Sequence, residues 1–278
     1  MHNNTLYTVD HLNPLVEELT IPGRAATSSI FQKLGHLHHL RLLTLTGCGY
    51  NPPRQLCLSR ARLTSFPALQ VLHVQGSTSI FRNLLDVCFE VPSLRHLSLS
   101  MDSLESPSAI MWTSVGQAFP NLEALDVDIQ HLHPDERTNR LKLRHLLVFG
   151  NITELRIRHP LPLEISDSDI RDPMDACPRL SVLSLNPNPI AFPCRFPGSF
   201  ISANPTWLTM VYLTRRHLQL RDVSLFLGTP QAGHNLPAIF SNTTMKKMTL
   251  GSYPGLDCAY MEKLADIFTA CEVKNIGY

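Results

Sequence analysis

The sequence predicts an α/β solenoid: one domain over residues 1–278, with parallel strands paving one face and helices or extended segments returning over the other. Three observations predict it. An apolar pattern with the form L-x-x-L-x-L recurs along nearly the entire chain. Its copies keep a spacing inside the roughly 20–50 residue range that marks repeat architectures. Amphipathic helical segments, several ended by proline, occupy the intervals between copies.

In chain order, the first copy is loose, running from Leu15 to Ile21. The next is Leu40-x-x-Leu43-x-Leu45, followed at Cys48. Leu69, Leu72 and Val74 follow Phe66-Pro67-Ala68, and Leu94, Leu97 and Leu99 follow Val91-Pro92-Ser93. Leu122, Leu125 and Val127 follow Phe119-Pro120-Asn121, and Leu180, Leu183 and Leu185 follow Cys177-Pro178-Arg179. Weaker copies read Ile152/Leu155/Ile157, Leu208/Val211/Leu213, Met245/Met248/Leu250 and Val273/Ile276/Tyr278. Counted at residues 19, 43, 72, 97, 125, 155, 183, 211, 248 and 276, the steps run from 24 to 37 residues. Within each copy the alternation of period two sends the leucines to one side of a short strand and the residues between them to the other. One such strand buries too little to stand alone, so each copy must be covered by the next.

The connections follow the same logic. Ile80, Phe81, Leu84, Leu85 and Cys88 share one helical face, with Arg82, Asn83, Asp86 and Glu90 largely opposite. Met261, Leu264, Ala265, Phe268 and Cys271 repeat the design, and Ile110, Val115 and Phe119 suggest a looser version. The prolines after Val91, Phe119 and Cys177 stop each helix before the next strand, because proline lacks the amide proton and disfavours helix at the residue before it. Pro187, Pro189, Pro193, Pro197 and Pro205 predict an extended or irregular return between the strands ending at Leu185 and Leu213. An insertion around residues 228–237 is expected in the 37-residue step that follows.

Taken together, the L-x-x-L-x-L-x-x-C/N cores resemble the leucine-rich repeat family, and their leading proline resembles the repeat region of fungal proteins with an F-box. That resemblance implies an irregular horseshoe with the strands on its concave face, acting as a non-catalytic protein-interaction module. It also implies a role in choosing substrates for a ubiquitin ligase, with the ligase adaptor as a second partner only if an F-box precedes Met1. In regular repeats the position after each core is Cys or Asn, and here only Cys48 and Asn188 match. Leu6, Tyr7, Val9 and Leu12 offer a partial lid to the first copy, and both ends are expected to be poorly capped.

Composition bounds the function. The chain carries 24 Lys plus Arg against 23 Asp plus Glu, a balance that points away from a nucleic-acid partner. No apolar run approaches a membrane span and the polar opening lacks the features of a secretory signal, so a cytoplasmic or nuclear location is expected. Seven cysteines with no C-x-x-C pair read as small buried side chains, and no cofactor or metal is expected. His36, His38 and His39, like His131 and His133, have no ligand spacing and read as surface histidines. "LPLEI", residues 161–165, resembles the start of an F-box, but no matching three-helix pattern follows it. Without a phosphate loop or a nucleophile elbow, no enzyme is expected. A regulator of a small GTPase and, behind it, a hydrolase with a dispersed active site are the rival readings.

The residues expected to carry function lie between the leucines. One row reads Thr20, Thr44, His73, Ser98, Asp126, Arg156, Ser184, Tyr212, Thr249 and Gly277. The row after it reads Pro22, Thr46, Gln75, Ser100, Asp128, Arg158, Asn186, Thr214 and Gly251. Stacking sets Asp126 beside Arg156 and Asp128 beside Arg158, with His96 and Glu154 in the preceding row. The expected partner-binding set is therefore His73, Gln75, His96, Asp126, Asp128, Glu154, Arg156, Arg158 and Tyr212. A self-satisfied ladder of cross-strand charges is the rival account of the same residues. Trp112, Trp207, Tyr212 and Tyr253 are candidate aromatic anchors, with buried packing favoured for Trp112.

Overall fold

The computed structural model describes residues 13–23, 28–48, 66–77, 81, 84–85, 91–101, 109–130, 143, 145, 149–160, 163, 165–189, 205–227, 244–252 and 271–276. They form an α/β structure whose ten strands pair in one all-parallel open sheet, in strict chain order from β1 to β10. The strands are β1 (Glu18–Pro22), β2 (Leu42–Cys48), β3 (Val71–Gly76), β4 (His96–Met101), β5 (Ala124–Ile129), β6 (Glu154–Arg158), β7 (Val182–Leu185), β8 (Asp222–Leu227), β9 (Lys247–Ser252) and β10 (Glu272–Ile276). Parallel neighbours need a crossover between them. The described helices lie in such connections: α1 (Ser28–Leu34), α2 (Ala109–Ala118), α3 (Asp167–Ala176) and α4 (Trp207–Arg216).

Register follows the leucines. Leu43, Leu72, Leu97, Leu125, Leu155 and Leu183 stand side by side across β2 to β7, and Leu45, Val74, Leu99, Val127, Ile157 and Leu185 form a second row. All twelve are buried. Phe31 and Leu34 of α1, Trp112 and Val115 of α2, Ile170 and Met174 of α3, and Met210 and Leu213 of α4 join them in one apolar cluster. The core is thus a layer between the leucine face and the helices, and each strand extends it by one rung.

A recurring turn feeds the strands. The amides of Leu40, Leu69, Leu94, Leu122, Ile152, Leu180 and Leu220 donate to the carbonyls of Leu37, Phe66, Val91, Phe119, Phe149, Cys177 and His217, each three residues earlier. Both ends of every one of these turns are buried. Proline stands second in four of them, at Pro67, Pro92, Pro120 and Pro178, where its fixed φ suits a type I turn. Successive turns are stitched together by side chains. Ser93 Oγ donates to Phe66 O at 3.0 Å, Asn121 Nδ2 to Pro92 O at 2.9 Å, Asn151 Nδ2 to Pro120 O at 3.3 Å and Ser181 Oγ to Thr153 O at 3.1 Å. The tie between rungs therefore sits before each of these strands. The regular-repeat pattern places it after the core instead, at Cys48 and Asn188.

Two copies fall elsewhere than expected. Leu208, Val211 and Leu213 belong to helix α4, capped by Thr206, whose side chain accepts from the Leu208 amide at 3.1 Å. The eighth strand is Asp222–Leu227, where Val223 and Leu225 take the core positions beside Leu183 and Leu185. The physical reason is the buried set of α4: Thr209, Met210, Leu213 and Thr214 fit a period of 3.6, while Leu208 is 38% exposed. The ten-residue helix therefore stands where a strand was expected, and most of the proline-rich return that precedes it, residues 190–204, lies outside the described residues. In β10, Val273 and Asn275 stand beside Met248 and Leu250, three residues earlier in register than the expected copy.

Helix α3 is not foreseen by the leucine pattern. Its N-terminus is a capping box in which the Ser166 hydroxyl accepts from the Asp169 amide and the Asp169 carboxylate accepts from the Ser166 amide. The F-box-like "LPLEI" runs directly into this cap. Of the expected helix at 80–90, Phe81, Leu84 and Leu85 are helical and buried. The segment 261–270, the insertion at 228–237, the N-terminal lid residues, His131, His133 and Tyr253 lie outside the described residues, as does the side chain of Trp207.

Candidate functional site

The side of the sheet opposite the leucines holds the expected site residues, and alternation explains why. In β3 to β6 the burial pattern flips at every residue, so His73, Ser98, Asp126 and Arg156 come into one row, each partly exposed. Register places these four side by side across the strands, and Gln75, Ser100, Asp128 and Arg158 likewise. His96, Ala124 and Glu154 form the row before. Eight of the nine expected residues are thereby brought onto one face.

Tyr212 is the exception and a correction. It lies on α4, because its segment is helix and not strand, and Ser224 takes its place beside Ser184. There the phenol donates to Asp175 Oδ1 at 2.5 Å, and the Arg171 guanidinium carbon lies 5.5 Å from the ring centre. Burial, and then the bond to Asp175, push the phenol well above its ordinary range. Asp167 of α3 reinforces the same contact, accepting from the Thr206 amide and hydroxyl, each at 2.7 Å, and from the Thr209 hydroxyl. Tyr212 therefore joins two helices. Thr214, expected in the next row, is buried in α4 and donates to Met210 O at 2.9 Å, so Phe226 occupies that position beside Gly251. Trp112 is buried, in edge-on contact with Phe149.

The face changes character along the sheet. Over β8 and β9 two rows opposite the leucines are themselves buried, at Ser224, Phe226, Thr249 and Gly251, while Asp222 and Lys247 in the row before stay accessible. The carbonyl of Pro187 presses on Gly251. This approach follows a reversal at Asn186, which adopts a left-handed φ of 48° and is buried. Its amide donates to Ile157 O at 2.7 Å, and its side-chain oxygen accepts from the His159 amide at 3.0 Å. The polar rows are consequently accessible on β3 to β6 and closed over at β8 and β9, a change with no signal in the leucine spacing.

Within that surface the charges do not pair as a simple ladder. Arg156 forms its ion pair with Glu154, two residues back on its own strand, and not with its neighbour Asp126. Asp126 Oδ1 is buried and accepts no hydrogen bond. On the other side, the rings of His73 and His96 lie 5.7 Å apart. Burial, then the His73 ring, hold the His96 imidazole below its ordinary value, against the opposing pull of Asp126 and Glu154. Rim pairs such as Arg95 with Glu123 at 3.1 Å are exposed and contribute little to stability.

This environment sets an expected pH dependence. His96 and His217 both have pKa values lowered first by burial; His217 faces Asp175, Arg216 and the Tyr212 ring, and His96 faces His73, Asp126, Glu154 and Arg156. The unfolded chain takes up protons near pH 6.5, before the folded one does, so stability falls on acidification through that value. A urea midpoint lower at pH 5.5 than at pH 7.5, with a smaller difference in His96→Gln, is expected. Equal pH differences in the two proteins would count against the buried neutral imidazole.

Chemistry of other kinds finds less on this face. Cys177 is buried with its thiol pushed up to about 11 by desolvation, which disfavours the nucleophilic thiolate. Among the described residues no group of three His, Cys, Asp or Glu could hold a metal ion, and no helix is long and apolar enough to cross a membrane. Comparison with protein-family models and with curated proteins finds no match.

Proposed function

We propose that the chain is a leucine-rich repeat solenoid whose polar sheet face, between β3 and β6, docks a protein partner. The sheet is concave on that side in this reading, and the helices form the outer layer. The observation that carries it is the arrangement of Asp126 and Arg156: they are neighbours across the sheet, yet Arg156 pairs within its own strand and Asp126 keeps a buried acceptor without a donor. A ladder serving stability alone would close that pair, since a buried unsatisfied acceptor is destabilising by about 1–3 kcal/mol. Solenoid faces commonly take partners, and fixed charges there orient the bound protein more than they tighten it. Through its resemblance to fungal F-box proteins, the role extends to choosing substrates for ubiquitination. The module acts by binding and not by catalysis.

Replacing Asp126 and Arg156 together with Ala tests the reading. Affinity capture from cell extract, quantified by mass spectrometry against the unaltered chain, is expected to lose its specific partners at least tenfold while thermal unfolding stays cooperative. Equal capture by the folded double variant would remove this face from consideration.

A further inference from the structure

We propose that Asp126 is the anchor point for a basic side chain of the bound polypeptide, and that the guanidinium of an arginine fits it best; this rests on the docking reading above. Three features converge on that chemistry. Asp126 Oδ1 is buried in the middle of the polar face without a donor, so the site lacks a hydrogen-bond donor and not an acceptor. The local charges agree: the polar faces of β5 and β6 carry three carboxylates, Asp126, Asp128 and Glu154, against two guanidiniums, Arg156 and Arg158, and Arg156 pairs with Glu154, so one carboxylate is in excess. A cation completes the set, whereas an acidic ligand would meet an uncompensated charge.

The third feature is shape. Asp126 follows Ser98 in its row, with His73 beyond it, and the ring of His73 lies against that of His96. The two rings are tilted by 56° to each other and offer aromatic faces beside Asp126, and burial lowers the His96 pKa, which keeps that ring neutral near pH 7. A planar guanidinium can donate to a carboxylate while stacking on such rings; an ammonium does only the first. Asp128, two residues along the same face of β5, stands about 6.6–6.8 Å further on and is within reach of a second donor on the partner.

The probe is N-acetyl-argininamide, titrated into the full chain with 13C-labelled histidines, and the readout is the Cε1–H signals of His73 and His96. Saturable shifts are expected for both rings, at least tenfold weaker with N-acetyl-citrullinamide, which keeps the shape but not the charge. Asp126→Asn is expected to abolish saturation with no loss of thermal stability, because the amide preserves volume and the carboxylate oxygen Oδ1 accepts no hydrogen bond that would be lost. Shifts that never saturate, that persist in Asp126→Asn, or that appear equally with the citrulline probe would overturn the assignment. Such a failure is separable from failure of the docking face, which is judged by partner capture with the double variant.

Discussion

Leu125→Ala lowers the stability of the folded chain by about 2–5 kcal/mol. Leu125 is 1% exposed, lies on β5 in the middle of the strand order, and stands in register between Leu97 and Leu155. Removing its isobutyl group forfeits the transfer energy of the lost carbons and leaves a void that both flanking leucines line. The backbone ladder on either side resists collapse into that void. Because the strands pair strictly with their sequence neighbours, a weak rung in the middle also separates the two halves of the sheet. Urea unfolding should show a lower midpoint, and a reduced slope would mark the halves melting apart. Leu218→Ala is the control: that side chain is 58% exposed, and its replacement should change stability by no more than about 0.5 kcal/mol. Similar midpoints for the two variants would refute the placement of Leu125 in the core.

Gly251→Ala is the second large effect, and its origin is the opposite face. A Cβ at this position would overlap the Pro187 carbonyl oxygen and come within 2.9 Å of Phe226 Cδ2. The first obstacle is backbone, held by the buried turn at Asn186 and its bonds to Ile157 and His159, so it cannot swing aside as a flexible side chain would. Overpacking of this kind destabilises by about 1–3 kcal/mol, and more where the backbone cannot give. Gly150→Ala has open space around the new methyl and should be close to neutral. Thermal scans of the two variants therefore separate steric conflict from any general effect of adding a methyl. Equal unfolding temperatures would mean that Pro187 does not sit over β9.

A third glycine has a different reason. Between β2 and β3 the register shifts from Leu45 to Cys48, and Gly47 there has a φ of 63°. A bulge residue in the left-handed region suits glycine, which has no Cβ to clash. Sequence alternation alone carries the register through Leu45 and gives no warning of the shift.

What could be read from the sequence depended on how many independent signals agreed at each position. From β2 to β7 the two leucine rows, the leading turn and the spacing all point to the same residues, and the structure sets them in that register. At α4 the signals diverge. Leu208, Val211 and Leu213 satisfy the strand template, but Thr206 is an N-cap and the buried residues recur as in a helix. Leu220, Val223 and Leu225 satisfy the same template with their own turn from His217, a signal present in the sequence and outcompeted by the earlier match. In β10 the second core position is Asn275, so the pattern slides to the next apolar residues. Ser166 and Asp169 announce a helix that a search for leucines passes over.

Sequence by itself determined which residues turn toward the core and which turn away, because alternation along a strand is a property of the covalent chain. It also determined which charges become neighbours across β5 and β6, since equivalent positions of the L-x-x-L-x-L copies align in register. Only the tertiary structure decided that Arg156 turns to Glu154, leaving Asp126 Oδ1 without a donor, and that two rows of the polar face are buried at β8 and β9 but accessible at β3 to β6. Rotamer choice and the path of a connection depend on atoms brought together from distant parts of the chain, and no local pattern encodes them.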